Sequence, residues 1–347
     1  MLDFLTDDVE LQQKIKELIN NGGTSELKYN FAERIFSVKN QTKNNKRYKI
    51  VTILGIKIKL KKFEKSRIVR IMGGLGNQMF QYAFGRALEH ATGQKVIYDT
   101  SWFEEAKKTI VNEKNENAQG VVMRKYDLDI FNLNIEIANY NQSKNCKKKI
   151  YETKEYQFDK TLLKKQKSAI YEGYFQNEGY YKDIKEILKK DFTFPEISQE
   201  DEFNQNWLKK IRESDNPVFI HIRRGDYLNL AGWALSTDYY RKAINYINSH
   251  VSNPTFFVFG QECEDYIKKE FGSDNFEIIG EINTINKTDW KNISLMLECK
   301  HAIIANSSFS WWAAWLGKAN EGVVIAPTPF VNGKDGIICD NWVKIER

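Results

Sequence analysis

Val218-Phe-Ile-His-Ile-Arg-Arg-Gly-Asp-Tyr227 decides the fold. An apolar strand runs directly into His221, Arg223, Arg224 and Asp226. Open α/β sheets bind ligands in the crevice outside the carboxyl ends of their strands. Two adjacent guanidinium forks at such an end match phosphate oxygens. The competing reading is a surface turn whose arginines pair with local carboxylates.

Around this strand the second half of the chain alternates. Apolar runs at 217–222, 255–259, 276–279, 301–305 and 322–326 predict strands, and periodic segments at 237–249, 262–271, 289–299 and 309–317 predict helices. Strand–helix alternation at this spacing argues for a parallel sheet covered by helices. The same pattern opens earlier. Ile68, Val69 and Ile71 form a strand, Gly73-Gly-Leu-Gly76 a turn, Asn77 to Ala91 a helix and Lys95–Tyr98 the next strand. That is a βαβ beginning. The fold class is therefore α/β, with two Rossmann-like domains in tandem whose strand ends face a common cleft. The domains are read as 67–205 and 206–347. The polar Lys/Asn-rich stretches 105–120 and 141–149 read as loops.

Residues 1–66 stand apart. Val9, Leu11, Ile15, Leu18 and Ile19 fit one face of a short helix ended by Asn21-Gly-Gly23. In Ile50–Lys62 the residues Ile56, Ile58 and Leu60 face one way and Lys57, Lys59 and Lys61 the other. This is one arm of a hairpin turning near Gly55. Its lysines either guard an edge strand or touch anionic lipid heads.

The composition excludes several classes. A net charge of +6 over 347 residues, with lysine spread along the chain, lacks the concentrated basic stripe of a nucleic-acid binder. The four cysteines, Cys146, Cys263, Cys299 and Cys339, form no C-x-x-C pair and suggest neither zinc nor a disulfide framework. The acidic start Met1-Leu-Asp-Phe-Leu-Thr-Asp-Asp8 has no signal-peptide pattern. No apolar run approaches the roughly 20 residues of a bilayer span. A cytoplasmic protein, at most peripheral to the inner membrane, is expected.

Two further motifs carry chemistry. Gly73-Gly-Leu-Gly-Asn-Gln-Met79 lacks the last glycine of G-x-G-x-x-G and the Gly-Lys-Ser/Thr of a Walker loop. Its glycines let backbone approach a ligand, and Asn77 reads either as a ligand contact or as a plain N-cap. Ala305-Asn-Ser-Ser308 ends a strand and opens an aromatic helix. Asn306, Ser307 and Ser308 suit a phosphate or a sugar hydroxyl at a helix N-terminus, or Ser simply caps a core helix. Trp311, Trp312 and Trp315 have helical spacing and read as core. Asp127-Leu-Asp129 matches a D-x-D metal motif, but Tyr126, Leu128 and Phe131 around it read as packing.

The set Gly73–Tyr82, His221–Tyr227 and Ala305–Leu316, with Gly173-Tyr-Phe-Gln176 and the run from Leu295-Met296 to Cys299-Lys-His301, resembles the bacterial α-1,2-fucosyltransferases of glycosyltransferase family 11. The resemblance covers about residues 67–330 and leaves 1–66 outside, where an accessory helix and hairpin are expected. It implies a GT-B fold, an inverting mechanism, GDP-fucose as donor, a galactose-terminated surface glycan as acceptor and no metal or other cofactor. By the same resemblance Arg223 is the main phosphate contact and Arg224 a supporting one. His221 orients the diphosphate or ribose, and Asn306, Ser307 and Ser308 cradle the β-phosphate. Gly73, Gly74, Gly76, Asn77, Gln78 and Gln176 serve the fucose and acceptor side. Arg223, Asp226 and Asn77 are the candidate catalytic residues, with Asp226 either the base or a partner of Arg224. Asn292 stands where relatives often place an Asp that reads guanine. It lacks that charge, and Glu262, Asp265 or Asp289 are the alternatives.

Overall fold

The computed structural model describes residues 36–43, 46–53, 56–61, 66–112, 124–164, 168–224, 227–228, 232–260, 263–272, 275–280 and 289–347. The helix expected at 9–19, the turn at Gly55, and Asp226 and Glu262 lie outside these residues. Contacts divide the chain into Met1–Lys65 and Ser66–Arg347.

In the first unit, β1 (Phe36–Lys43), β2 (Lys46–Ile53) and β3 (Ile56–Lys61) form an antiparallel sheet in the order β1-β2-β3. The single hairpin expected from the sequence is thus extended by β1. The register sets Phe36 opposite Ile53 and Ile53 opposite Ile56, with Val38, Val51 and Ile58 in the next rank. Side chains directly across a ladder share a face, so these six apolar residues form one face. Ile56 on it is 68% exposed.

The second unit holds two parallel sheets. In the first lobe β4 (Arg67–Arg70) leads into α1 (Leu75–Thr92), then β5 (Val96–Asp99), α2 (Ser101–Asn112), α3 (Tyr140–Asn145), β6 (Lys149–Tyr151) and β7 (Ala169–Glu172). The strand order is β5-β4-β7-β6, all parallel. Two stretches read as loops are partly helical. Residues 105–112 belong to α2, whose Phe103 is buried while its charged residues face out. Residues 141–145 belong to α3, started by a capping box between Asn139 and Gln142 that a composition-based reading overlooks.

After α4 (Lys185–Asp191) the chain crosses to α5 (Glu202–Glu213) and the second lobe: β8 (Asn216–His221), α6 (Thr237–His250), β9 (Pro254–Phe259), α7 (Cys263–Phe271), β10 (Phe276–Gly280), α8 (Asp289–Leu297), β11 (His301–Ile303), α9 (Ser308–Leu316), β12 (Val324–Thr328) and β13 (Val343–Glu346). The order is β10-β9-β8-β11-β12-β13, with every pairing parallel. Counted from β8 this is 3-2-1-4-5-6, the Rossmann order. Val218, Phe219 and Ile220 are wholly buried because helices cover both faces, which is why β8 reads as a continuous apolar run.

In each sheet the strand order reverses at one point, between β4 and β7 and between β8 and β11. The loops after all four strands line one cleft or brace its wall. A single aromatic core joins the lobes beneath it. Trp311, Trp312 and Trp315 are fully buried, and Phe80 of α1 lies 4.6 and 4.7 Å, centroid to centroid, from Trp311 and Trp312 of α9. Their sequence reading as core holds. Among the described residues no helix is long and apolar enough to cross a membrane.

Candidate active site

The cleft has a volume of about 390 Å³. From the first lobe it is lined by Gly73, Gly74, Gly76 and Asn77, by Arg124, Lys125 and Asp127, and by Tyr174. From the second it is lined by His221 at the end of β8 and Arg223 just after it, Gly260 after β9, Asn292 of α8, and Ser307 and Ser308 at the start of α9. Cations outnumber carboxylates among these residues, and Lys125 reaches Asp127 at 3.9 Å.

The glycine loop is shaped by two contacts. Gly73 has φ +79°, a left-handed conformation that suits glycine. A Cβ on Gly76 would stand 2.7 Å from both the carbonyl carbon and Oγ of Ser308, so the loop abuts the start of α9 without room for a side chain. Gly74 caps α1, which places Asn77 in the first helical turn and not at the N-cap. A side chain there is free of capping duty and lines the cleft.

Gln78 departs from its expected role. It is fully buried and absent from the cleft wall. Its Nε2 donates to the carbonyls of Gly73 (2.9 Å) and Lys125 (2.7 Å), and its Oε1 accepts from the amide of Asp127 (2.8 Å). Gln81, also buried, accepts from the amide of Met72 (2.8 Å) and donates to the carbonyl of Gly173 (3.1 Å). Two glutamines of α1 therefore stitch together the three loops of the first-lobe switch point. Through Gln78 the segment carrying Arg124 and Lys125 reaches the cleft, and the guanidinium of Arg124 lies within 3.5 Å of where a Gly74 Cβ would be. Sequence reading missed both cations, although they immediately precede the Asp127-Leu-Asp129 motif it did note. Among the described residues no group of three or more His, Cys, Asp or Glu stands ready for a metal ion.

In the second lobe the two arginines part company. Arg223 lines the cleft, its guanidinium 5.2 Å from the ring of Tyr227. Arg224 instead packs its guanidinium 4.5 Å from the ring of Tyr266 on α7 and is not part of the cleft wall, contrary to the expected supporting phosphate contact. His221 is buried, with its ring 5.8 Å from Phe309 and its Nδ1 without a hydrogen-bond partner. Burial, with Arg223 nearby, holds its pKa down at about 3, so the imidazole is neutral at physiological pH.

Ser307 caps α9, its Oγ accepting from the amide of Phe309 at 3.3 Å. Asn306 does not join the serines in the cleft. Its Nδ2 donates to the carbonyl of Trp233 (2.9 Å), while the hydroxyl of Tyr227 donates to its own carbonyl (3.3 Å). It braces the segment that follows the arginines. Asn292 lines the cleft and keeps its Oδ1 shut off from solvent with no partner. Gln176 is buried behind Asn77 and donates to it.

Two parallel-sheet lobes with their switch points turned to one cationic cleft make the architecture of a GT-B glycosyltransferase. The sequence model for Glycosyl transferase family 11 matches residues 36–346, and the chain belongs to that family. The match takes in β1–β3, which the resemblance in the motifs had left outside. An alpha-1,2-colitosyltransferase of Escherichia coli is 33% identical over 81% of this chain and 99% of its own length. The O-antigen biosynthesis glycosyltransferase WbnK of Escherichia coli is 28% identical over 79% of this chain and 99% of its own. The human galactoside alpha-(1,2)-fucosyltransferase 1 is 28% identical over 40% of each chain. Among solved structures, NodZ alpha-1,6-fucosyltransferase soaked with GDP-fucose aligns with a TM-score of 0.41 and 11% identity, covering 73% of this chain and 93% of that one. The protein is a glycosyltransferase.

Proposed function

We propose that this glycosyltransferase is an inverting, metal-independent galactoside α-1,2-fucosyltransferase. It moves L-fucose from GDP-fucose to the 2-hydroxyl of a terminal galactose in a bacterial surface glycan, a lipopolysaccharide O-antigen or capsule. The observation that carries this reading is that Arg223 shares the cleft wall with Ser307 and Ser308 at the N-terminus of α9, all at the switch point of the Rossmann sheet. A helix N-terminus and a guanidinium together favour a diphosphate. The donor's acceptor-facing sugar then meets Asn77 and the glycine loop across the cleft.

In the reaction the acceptor oxygen bonds to fucose C1 from the face opposite GDP. The bond from C1 to the β-phosphate oxygen breaks, and its electron pair leaves with GDP. Arg223 and the α9 amides stabilise the negative charge growing on that oxygen, the task a divalent ion performs elsewhere. The hydroxyl proton passes to a base, for which Asp226 remains the sequence candidate. Neutral His221 offers Nδ1 to a donor hydroxyl, and the unpartnered Oδ1 of Asn292 suits an N–H of guanine. Contact of residues 47–62 with the inner membrane is part of the same proposal, supported by the exposed Ile56 and Ile58. Co-sedimentation with anionic vesicles tests it, and a supernatant-only result rejects it.

The likeness to a colitosyltransferase favours one second reading, a family member that uses another GDP-sugar. Transfer and donor hydrolysis measured with GDP-fucose, GDP-colitose, GDP-mannose and UDP-galactose separate the two, using acceptors ending in Galβ1,3 and Galβ1,4. Turnover of GDP-fucose above the others is expected. Preference for a different GDP-sugar selects the second reading, and no turnover at all leaves a glycan- or anion-binding module. Activity that disappears with EDTA rejects the metal-free mechanism.

A further inference from the structure

We propose that Gln176 is a positioning residue, which acts on substrate only by fixing the side-chain amide of Asn77 with its N–H groups toward the cleft. The proposal rests on the reading of Asn77 as a substrate-facing residue. Gln176 itself is buried and does not line the cleft. Its Nε2 donates to the Oδ1 of Asn77 at 2.8 Å, across 99 residues of sequence. The two residues stand on opposite sides of the first-lobe switch point, one after β4 and one after β7. With the Oδ1 of Asn77 turned to Gln176, its Nδ2 on the same planar amide faces a different direction. That Nδ2 lies 2.9 Å from the Cβ position of Gly73, on the cleft wall. The cleft therefore meets a hydrogen-bond donor at this point, which suits a sugar or phosphate oxygen.

The backbone that aims Gln176 is unusual. Phe175 has φ +54°, a left-handed conformation that an aromatic residue rarely adopts. Strain of this kind persists where the surroundings over-determine it. Here the Oε2 of Glu152 accepts from the amides of Tyr174 (2.8 Å) and Phe175 (2.9 Å), and the hydroxyl of Tyr181 donates to the Phe175 carbonyl. The Phe175 ring stacks on Phe84 with centroids 3.8 Å apart. Gly173 leaves the space for Glu152, since a Cβ there would lie 2.5 Å from the Cβ of Glu152. The turn at Phe175 carries Gln176 off the line of β7 and onto Asn77.

Kinetics of Gln176→Ala, Gln176→Glu, Asn77→Ala, Asn77→Asp and the double alanine variant test this, with the best GDP-sugar donor of the wild type. Gln176→Ala is expected to lower kcat about 10- to 100-fold with donor KM little changed, the scale of a misplaced contact. The double variant is expected to be no slower than Asn77→Ala alone, because both changes remove one unit. The carboxylate introduced by Gln176→Glu would accept from Asn77 and turn its Oδ1 to the cleft, so this variant should match Asn77→Asp. An active wild type with Gln176→Ala within twofold of it overturns the proposal, as does a double variant whose loss is the product of the two single losses. A wild type inactive with every GDP-sugar rejects the donor reading instead. The geometry is then read without turnover. In protein with isotope-labelled asparagine, the side-chain amide signal of Asn77, assigned by its loss in Asn77→Ala, should move in Gln176→Ala, and an unmoved signal overturns the proposal.

Discussion

The indole N–H of Trp312 donates to the carbonyl of Gly76 at 2.9 Å, joining residues 236 positions apart. One bond thus fixes the glycine loop of the first lobe to the helix whose N-terminus forms the opposite wall of the cleft. Trp312→Phe should leave that carbonyl unpaired and a void beside it, costing about 2 kcal/mol. Urea unfolding measures the loss, and an unchanged midpoint would refute the role of the bond.

Gly76→Ala acts on the same seam from the other side. Its methyl group would meet the Ser308 backbone, which has no flexible end to move away. Loop and helix must separate, so transfer should fall by at least tenfold while stability falls less than in Trp312→Phe. Full activity in Gly76→Ala would show that the seam yields easily.

Arg223 and Arg224 should behave differently despite their adjacency. Loss of a cation that stabilises a departing diphosphate costs about 100- to 1000-fold in kcat, and Arg223→Ala is expected in that range with its fold intact. Arg224→Ala removes a guanidinium packed on Tyr266 and should chiefly lower stability, by about 1 kcal/mol. Equal kinetic losses in the two variants would mean that both enter the cleft.

His221 makes stability depend on pH. The unfolded chain takes up a proton near 6.5, whereas the buried ring resists until about 3. Between those values the unfolded state binds the extra proton, so stability falls as pH falls, at about 1.4 kcal/mol per pH unit. Above 6.5 the ring contributes no slope. Subtracting the stability curve of His221→Gln from that of the wild type should isolate this window, and a flat difference would contradict it.

Asn292 offers a test of base recognition. Removing an acceptor that pairs with guanine should raise the KM for a GDP-sugar by about tenfold and leave kcat nearly unchanged; Asn292→Ala makes that change. Asn292→Asp should restore or improve affinity, because a charged acceptor forms the stronger bond. If neither variant alters KM, the guanine is read elsewhere in the cleft.

Much of the fold was legible because its signals are local. The uninterrupted Val218-Phe-Ile run announced a strand covered on both faces, and the helical spacing of Trp311, Trp312 and Trp315 marked them as core. A residue's place in the cleft wall was legible where one local motif sets it, as for Arg223 and the glycine loop. Gln78 and Gln176 were misplaced because their partners, Lys125 and Asn77, lie 47 and 99 residues away. Nothing in a local motif distinguishes a glutamine that touches substrate from one that holds a loop. Arg124 was missed for the same reason, since Gln78 brings it to the cleft. Asn306 resembled its serine neighbours in type, yet its partner is the distant carbonyl of Trp233.

The aromatic seam also bears on how this protein could be taken apart. Phe80 belongs to one Rossmann-like lobe and its two nearest indoles to the other, so a cut between the lobes would bare three large buried rings at once. The two lobes are not interchangeable cassettes. A chimera that joins either half to a foreign partner should aggregate unless the new partner brings matching counterparts of Phe80, Trp311 and Trp312. Diversification of glycan specificity in this lineage is then expected to proceed through the loops above the seam, leaving the join between the halves alone.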